Sequence, residues 1–307
     1  MNDEVKEIVF IGLGRMGEAM CALLSEKGYI VHGYDTNDQI RKKVEKNGVV
    51  VHDTLQETIT ALSTAPKTIW IMVPSRYVDE VLAEVLPLLS NADTIIDGGN
   101  SFFKDSIRRF NTLSEQGINF IDCGTSGGIL GARTGASLMV GGEKETVKSL
   151  SHIFQALAIE DGYAHVGGPG SGHFTKMVHN AIEYGMMGAI AEGMNILNEH
   201  KDGLDIDITQ ALKPYEHGSI IESNLMSWLS KAYITPGLLE RIAGEVPTGE
   251  TEMEMEYLIA SEEVLVLEAA VVQRKQTRIT PSFTGTVISA MRNQFGGHAI
   301  LPKKNKI

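Results

Sequence analysis

The sequence predicts an α/β fold in which a doubly wound parallel sheet is followed by an all-helical C-terminal domain. Short apolar runs alternate with helical patterns up to residue 168, and beyond it only helical periodicity remains. Strands that alternate with helices favour a parallel sheet covered by helices on both faces. The 307 residues suffice for two domains. A Gly-rich segment at 166–172 predicts their boundary, with domains at 1–168 and 169–307.

The individual elements follow from the spacing of apolar residues. The run at 7–11 predicts a first strand, 16–27 a helix with one apolar face, and 29–35 a second strand. Further apolar runs predict strands at 68–73, 94–97, 119–122 and 136–140. Helical periodicity in the second half predicts helices at 171–199, 205–214, 217–231, 252–274 and 280–294.

A glycine motif, Gly12-x-Gly14-x-x-Gly17, lies between the first strand and the first helix. The first glycine permits a tight turn, the second lets the backbone approach a pyrophosphate, and the third lets helix and strand pack closely. A tight turn without a ligand is the alternative. In this context the motif predicts a Rossmann-type domain whose dinucleotide is bound by Gly12, Leu13, Gly14, Arg15, Met16 and Gly17.

The residue that ends the second strand predicts the choice of cofactor. Asp35 lies 23 residues after Gly12, where its carboxylate can accept hydrogen bonds from both ribose hydroxyls and would repel a 2′-phosphate. The nearest cation, Arg41, is about one and a half helical turns further on and is a poor phosphate ligand. We therefore predict NAD, although Asp35 could also serve only as a helix cap. Loops after the next two strands complete the predicted cofactor site with Val73, Pro74 and Asn100.

Composition restricts the partners and the compartment. The formal net charge of −12 argues against a nucleic-acid partner, because phosphate neutralisation needs a basic surface. No apolar run approaches the ~18 residues of a membrane span. The polar opening segment at 1–7 is unlike a signal peptide, and Cys21 and Cys123 have no metal-ligand spacing. We expect a cytoplasmic protein without a metal, in which local cations must hold any anionic substrate.

A polar stripe on the long helix predicts the chemistry. Lys176, His179, Asn180, Glu183 and Tyr184 recur at i, i+3, i+4, i+7 and i+8, so they share one face, while the neighbouring apolar residues predict a buried helix. A solvated outer face is the alternative. A lysine can act as a base where its surroundings lower its pKa, and a glutamic acid in an apolar site can act as an acid. The predicted base, Lys176, and acid, Glu183, lie roughly 10–11 Å apart along the axis.

Five segments of the sequence carry a further signal, namely Gly12–Gly17, Asp97–Ser101, Ser126–Gly128, Lys176–Tyr184 and Arg292–His298. Together they resemble the 6-phosphogluconate dehydrogenases of the β-hydroxyacid dehydrogenase superfamily. The chain length resembles the short, NAD-preferring form of that family. The resemblance covers residues 1–190 nearly continuously and returns at the C-terminal tail.

The resemblance implies an NAD-dependent oxidative decarboxylation of 6-phosphogluconate to ribulose 5-phosphate, in gluconate metabolism and the pentose phosphate pathway. Lys176 would take the proton of the C3 hydroxyl and return one to the carbonyl oxygen, and Glu183 would protonate C1 of the enediol. Asn180 joins them as a catalytic residue. The implied substrate ligands are Asn100, Ser126, Gly127, Gly128, His179, Asn180, Tyr184, Arg274, Arg292 and His298. Arg292 and His298 would come from a second subunit of a homodimer or homotetramer.

The region after residue 245 departs from the family pattern. A Gly-x-Gly-(Lys/Arg)-Trp-Thr segment is expected, and this chain has Thr251 where the cation would stand. Losing one charge-assisted hydrogen bond costs about 1.5–3 kcal/mol, enough to redirect specificity. The distal group could then be a sulfonate, as in 6-deoxy-6-sulfogluconate, or absent, as in gluconate. Two further functions remain open, a 3-hydroxyisobutyrate-type dehydrogenase and a catalytically silent NAD-binding sensor.

Overall fold

The computed structural model describes residues 6–303, so most of the polar opening segment lies outside the described part. The chain divides into two compact units, one ending at Lys176 and the other beginning at Met177. The predicted fold class is confirmed, because a mostly parallel sheet covered by helices precedes a helical region. The domain boundary at 168/169 stays a prediction. Between residues 6 and 303, no helix is long and apolar enough to cross a membrane, and no cluster of His, Cys, Asp or Glu could hold a metal.

Eight strands form one sheet in the order β3-β2-β1-β4-β5-β6-β7-β8. Their bounds are β1 Glu7–Ile11, β2 Ile30–Tyr34, β3 Val50–Val51, β4 Thr68–Ile71, β5 Thr94–Asp97, β6 Asn119–Ser126, β7 Ala136–Gly141 and β8 Ala158–Gly167. The helices of this unit are α1 Arg15–Glu26, α2 Asp38–Glu45, α3 Leu55–Thr60, α4 Val78–Val85, α5 Phe103–Ser114, α6 Gly128–Thr134, α7 Lys144–Ser149 and α8 Ser151–Leu157.

Successive side chains of the central strands point to opposite faces of the sheet, so a hydrophobic core forms on each face. Ile8 and Phe10 belong to one cluster of buried residues, whereas Val9 and Ile11 belong to another. Trp70 on β4 is fully buried, and its ring stacks on Phe10 with 5.6 Å between the centroids. Because both faces are covered, the strands read as continuous apolar runs, as the sequence suggested.

Two strands and one pairing differ from the sequence prediction. β6 and β7 pair antiparallel, with Ser126 opposite Ser137, although the sheet was predicted to be parallel. Only nine residues, 127–135, join them, fewer than the dozen or more that a parallel crossover needs. β8 and the two-residue β3 were not predicted. β8 is an edge strand with mostly exposed residues, so it has no apolar run to reveal it.

The second unit is helical. α9, Ser171–Leu204, begins in the first unit and continues into this one as a single helix. The remaining helices are α10 Ile208–Glu216, α11 Asn224–Ile234, α12 Leu238–Arg241, α13 Glu252–Ser261, α14 Leu265–Ile279 and α15 Phe283–Gly296. Their core includes Met187 and Met194 of α9 and Met291 of α15. The helix predicted at 252–274 is two helices, because residues 262 and 264 leave the helical conformation.

Candidate active site

The glycine loop joins β1 to α1. Gly12 has a φ of +92°, and a Cβ there would lie 2.6 Å from the carbonyl oxygen of Met72. A Cβ on Gly17 would lie 2.1 Å from the carbonyl oxygen of Gly12, so only glycine lets the helix approach the strand. A Cβ on Gly14 would meet nothing within 4 Å, which leaves space at the N-terminus of α1. The loop therefore fits the phosphates of a dinucleotide. Its other predicted members are Leu13, Arg15 and Met16.

Asp35 lies at the end of β2, beside this loop. Its two carboxylate oxygens accept hydrogen bonds from the backbone N–H groups of Leu13 and Asn37, each at 2.8 Å. These bonds fix the plane of the carboxylate, and each oxygen keeps acceptor capacity for a ribose hydroxyl. The helix cap is Asn37 rather than Asp35, because the Asn37 side chain accepts from Gln39 N.

Arg41 of α2 reaches back to the end of β2. Its Nη1 donates to the backbone oxygen of Asp35 at 2.7 Å, so the guanidinium lies at the end of β2. The side chain is long enough to reach back over the turn that separates strand from helix. That Arg41 is a poor phosphate ligand in this protein stays a prediction.

The loops that follow β4 and β5 touch each other at the carboxyl edge of the sheet. A Cβ on Gly98 would lie 2.1 Å from Trp70 Nε1, and one on Gly99 would lie 2.9 Å from the carbonyl oxygen of Val73. Larger residues would force the loops apart. Ligands of open α/β sheets bind at this edge. It carries the predicted cofactor ligands Val73, Pro74 and Asn100.

A buried ion pair holds the loop that carries Asn100. Asp97 Oδ2 accepts from Ser101 Oγ at 2.7 Å and from Arg109 Nη1 at 3.1 Å, and Arg109 Nε donates to Asp79 at 2.8 Å. Asp97 is fully buried and Arg109 is only 3% exposed. Arg109 was not predicted to take part, since an arginine within an amphipathic helix usually reads as part of its solvated face.

The start of α9 is anchored to β6 through another buried carboxylate. Asp122 accepts from the N–H groups of Gly170 and His173 at 2.7 and 2.8 Å, and it is fully buried. This carboxylate faces the positive end of the helix. A Cβ on Gly124 would lie 2.4 Å from Cβ of Lys176, so only glycine allows β6 to lie against Lys176. Asp122 was not predicted as a functional residue because a carboxylate at a strand's centre carries no motif of its own.

The turn after β6 carries the predicted substrate ligands Ser126, Gly127 and Gly128. Gly127 and Gly128 have φ values of +114° and +63°, both in the left-handed region. A Cβ on Gly127 would lie 3.2 Å from Cα of Gly131, the first turn of α6. The two glycines thus bend the chain directly from strand to helix and expose backbone at the carboxyl end of β6.

Two residues of the polar stripe on α9 are buried, whereas two apolar residues of the same helix are exposed. Asn180 and Tyr184 are each 5% exposed, whereas Val178 is 38% and Ile182 is 59% exposed. His179 Nδ1 lies 3.3 Å from Asn180 Oδ1 and 4.0 Å from Glu183 Oε2. The solvated-face alternative is therefore wrong for Asn180 and Tyr184. The predicted burial of the helix is not complete within a single chain, because the row through Val178 and Ile182 is exposed.

A cluster of arginines surrounds Tyr184 within the helical unit. Arg274 Cζ lies 3.3 Å from the centroid of the Tyr184 ring, and the Tyr184 hydroxyl lies 3.1 Å from Thr251 Oγ1. Arg292 Nη1 donates to the backbone oxygen of Pro247 at 2.8 Å. Burial lowers the pKa of Arg274 to about 10 and also lowers the pKa of Arg292. Guanidiniums that have lost water in this way gain from binding an anion.

A third arginine of the same region is neutralised. Arg278 donates to both carboxylate oxygens of Glu252, and this contact raises the pKa of Arg278 and lowers that of Glu252. Among residues 6–303, Arg274 and Arg292 form no ion pair with a carboxylate. The cluster therefore offers two guanidiniums to an anion, and Thr251 contributes a hydroxyl where a cation was expected.

Arg292 and His298, the two predicted ligands near the C-terminus, differ in exposure. Arg292 is 8% exposed within its own chain, so a second subunit is not needed to bring an arginine to Tyr184, although the resemblance implied one. His298 follows α15 and is exposed, with its ring 5.8 Å from that of Phe295. A Cβ on Gly296 would lie 2.6 Å from the His298 ring, which folds over it.

Family models identify both parts of the chain. Residues 7–167, more than half of the sequence, match the NAD binding domain of 6-phosphogluconate dehydrogenase, and residues 172–226 match its C-terminal domain. The chain belongs to the 6-phosphogluconate dehydrogenase family. Members of this family are oxidoreductases that use a nicotinamide cofactor, and the glycine loop described above lies within the matched NAD-binding segment.

Relatives of nearly equal length support membership of the 6-phosphogluconate dehydrogenase family. The chain is 40% identical to a Bacillus subtilis protein named "Putative 6-phosphogluconate dehydrogenase YqeC", over 95% of this chain and 98% of the relative. It is 34% identical to a Haloferax volcanii enzyme named 6-phosphogluconate dehydrogenase, NAD(+)-dependent, decarboxylating, with the same coverage of 95% and 98%.

Solved structures show the same fold. Plasmodium falciparum 6-phosphogluconate dehydrogenase, described with NADP+ and with 6-phosphogluconate, matches 98% of this chain and 67% of its own at 25% identity, with a TM-score of 0.79. Mycobacterium tuberculosis 3-hydroxyisobutyrate dehydrogenase matches 94% of this chain and all of its own at 19% identity, with a TM-score of 0.72. The second likeness concerns the fold alone.

Proposed function

We propose that the chain catalyses the NAD-dependent oxidative decarboxylation of 6-phosphogluconate to ribulose 5-phosphate, CO2 and NADH. The observation that carries the proposal is the buried pair Arg274 and Arg292 beside Tyr184. Two desolvated guanidiniums require an anion, and a sugar acid with a distal phosphate supplies one in addition to its carboxylate. 3-Hydroxyisobutyrate has only its carboxylate and would leave them uncompensated.

The proposed roles of Lys176 and Glu183 follow from their spacing along α9. Lys176 accepts the proton of the C3 hydroxyl, while the bound nicotinamide supplies the hydride acceptor. When the 3-keto acid loses CO2, Lys176 returns a proton to the carbonyl oxygen, and Glu183 protonates C1 of the enediol. Their seven-residue separation spans roughly 10.5 Å of helix axis, so each side chain can serve a different carbon of one extended substrate. Asn180, close to His179 on the same stripe, is assigned to orient the sugar acid.

Other predicted ligands complete the proposed site. Asn100, Ser126, Gly127 and Gly128 lie at the carboxyl edge of the sheet, where a substrate meets a cofactor in such folds. Tyr184 and Arg274 are assigned to the distal group together with Arg292.

The preference for NAD rests on Asp35. Relatives of this chain include one named as NAD(+)-dependent and one described with NADP+, so family membership leaves the choice open. Asp35 presents a fixed carboxylate beside the glycine loop, held by the N–H groups of Leu13 and Asn37. A carboxylate there favours ribose hydroxyls and repels a 2′-phosphate.

The distal group has a second candidate. The cluster has a hydroxyl from Thr251 where a cation was expected, and Arg278 is neutralised by Glu252. Two guanidiniums suit a monoanion such as the sulfonate of 6-deoxy-6-sulfogluconate, whereas gluconate would leave them without any anion.

We also propose a homodimer or homotetramer in the cytoplasm, acting in gluconate metabolism and the pentose phosphate pathway. Val178, Ile182 and Met186 recur at i, i+4 and i+8 of α9 and are 38%, 59% and 41% exposed, as expected of a face covered by a second copy. His298 is the residue that a second subunit would contribute. Light scattering of the purified chain measures the mass, and a monomer at micromolar concentration would contradict this part of the proposal.

One experiment separates the candidate substrates. NADH formation and trapped CO2 are measured with NAD and, in turn, 6-phosphogluconate, 6-deoxy-6-sulfogluconate, gluconate and 3-hydroxyisobutyrate. We expect the highest kcat/KM for 6-phosphogluconate, with one CO2 per NADH. Oxidation of 3-hydroxyisobutyrate without CO2 as the best reaction would refute the proposal. Lys176→Met should abolish turnover while NAD binding persists, and retained turnover would remove Lys176 from its role.

A further inference from the structure

Arg41 lies beside Asp35, whose carboxylate is assigned to bind the ribose hydroxyls of the adenosine half of NAD. Its Nη1 donates to the backbone oxygen of Asp35 at 2.7 Å, and its side chain is only 13% exposed. Nothing in the assigned cofactor site uses this guanidinium. Its place is nevertheless within side-chain reach of the 2′ position that Asp35 is assigned to bind.

Two carboxylates lie close to the guanidinium of Arg41. Arg41 Nη2 lies 3.4 Å from Asp38 Oδ1 and 3.4 Å from Asp53 Oδ1. Asp38 is 55% and Asp53 is 87% exposed, so these contacts add little to stability. Their effect is on charge, because they place two carboxylates beside one guanidinium.

The adjoining cavity has the same charge imbalance. It has a volume of about 420 Å³ and lies beside the end of β2. The carboxylates on its wall outnumber the Arg and Lys side chains by four to two. The charged and titratable side chains that line it are Asp38, Arg41, Lys42, Glu45, His52, Asp53 and Glu57. A 2′-phosphate placed here would meet an excess of negative charge, whereas ribose hydroxyls would find acceptors.

We propose that Arg41 is a cofactor-selectivity residue, a latent ligand for a 2′-phosphate. Asp38 and Asp53 offset its charge, and the backbone oxygen of Asp35 holds its guanidinium at the end of β2. In the wild-type protein the Asp35 carboxylate accepts the ribose hydroxyls and repels a 2′-phosphate. When the Asp35 carboxylate is removed, Arg41 supplies a guanidinium beside the 2′ position and binds the phosphate of NADP. The inference rests on the proposed NAD preference.

The test compares variants by the ratio of kcat/KM for NADP to that for NAD, and by direct titration with NADPH. Asp35→Ser should raise the ratio on the order of 100-fold, since it removes the charge repulsion. Asp35→Ser combined with Asp53→Asn should raise it further by less than about threefold, because Arg41 loses one of two carboxylate partners but Asp53 is 87% exposed. Asp35→Ser combined with Arg41→Ala should lose about 10- to 100-fold of the gain, the worth of one charge-assisted hydrogen bond.

A matched control removes the neighbouring cation instead. Lys42 lines the same cavity but is 73% exposed and already paired with Asp38 at 2.6 Å. Lys42→Ala in the Asp35→Ser background should change NADP binding by less than about threefold, because a solvated charge acts weakly. Should Asp35→Ser fold poorly, Asp35→Asn provides a second background that keeps an acceptor for the Leu13 N–H.

The outcomes distinguish a failure of the role of Arg41 from a failure of the proposed NAD preference. Equal NADPH affinity of the Asp35→Ser protein with and without Arg41 would overturn the role of Arg41 while leaving the NAD preference standing. An equal loss from Lys42→Ala and Arg41→Ala would also overturn it, since the general field rather than a contact would then act. A wild-type protein that prefers NADP would overturn the proposed NAD preference and this inference with it.

Discussion

Replacing Arg109 with leucine tests whether a buried ion pair holds the loop that carries Asn100. Arg109 and Asp97 are 3% and 0% exposed, with 3.1 Å between Nη1 and Oδ2. Arg109→Leu leaves the Asp97 carboxylate in the core with hydrogen bonds from Ser101 and Gly99 but without a cation. Removing one partner of a buried pair costs about 3–5 kcal/mol. The two remaining hydrogen bonds place the expected loss near the lower end of that range.

The neighbouring arginine provides a matched control. Arg108 also pairs with Asp79, but it is 53% exposed, so Arg108→Leu should cost less than about 1 kcal/mol. Urea unfolding at pH 7 measures both free energies of unfolding. By thermal unfolding the Arg109 variant should melt lower by roughly 6–12 °C, at about 2–4 °C per kcal/mol for a unit of this size and a loss of about 3 kcal/mol. Its kcat/KM should fall as well, because Asn100 loses its support.

Two results would refute this reasoning. The first is a loss below about 1 kcal/mol for Arg109→Leu, equal to that for Arg108→Leu. The second comes from the double variant Asp97→Asn with Arg109→Leu, which removes both charges and should recover part of the stability. A double variant less stable than Arg109→Leu alone would show that the carboxylate matters for a reason other than its charge.

Other changes give clear expectations. Gly124→Ala should lower kcat by 10-fold or more, because its Cβ would lie 2.4 Å from that of Lys176. Gly168→Ala should leave kcat unchanged, because its Cβ would meet nothing within 4 Å. Equal kcat values for the two variants would contradict the close packing at Gly124. kcat/KM for 6-phosphogluconate should be maintained below about pH 10 and fall above it, since the pKa of Arg274 is lowered to about 10 and its cation is needed for the anion; a flat profile to pH 11 would argue against that role. Both cysteines are fully buried and burial raises the pKa of their thiols, so a disulfide reagent should react with them only in urea; rapid labelling of the native protein would contradict their burial.

Much of the fold could be predicted because the strands of a doubly wound sheet are buried on both faces. Runs such as Ile8–Ile11 and Ile69–Ile71 are fully apolar and buried, and Gly12 directly follows the first of them. β8 lacks this signal, since an edge strand needs apolar residues on one face at most. The break between α13 and α14 has no glycine or proline either, so nothing in the sequence marks it.

The candidate site was predictable where a residue type has one strong use. The glycines at 12 and 17 belong to a motif whose spacing predicts a tight turn between strand and helix. In the structure a Cβ on either glycine would clash with a backbone carbonyl oxygen. Asp122 and Arg109 could not be found in this way. Their importance comes from partners 51 and 12 residues away in the chain, and a single sequence gives no signal for such pairings.

The continuity of α9 has a consequence for how this protein can vary. Lys176 and Glu183 lie on one unbroken helix, and each residue advances the chain by about 100° around the axis. A single inserted or deleted codon between them would swing one side chain to a different face, and no local repacking could restore the pair. Substitutions in the intervening turn are tolerable, whereas changes of length are not. Length variation among functional descendants of this gene should therefore be confined to loops such as those before α11 and after α13, and the seven-residue interval should remain constant.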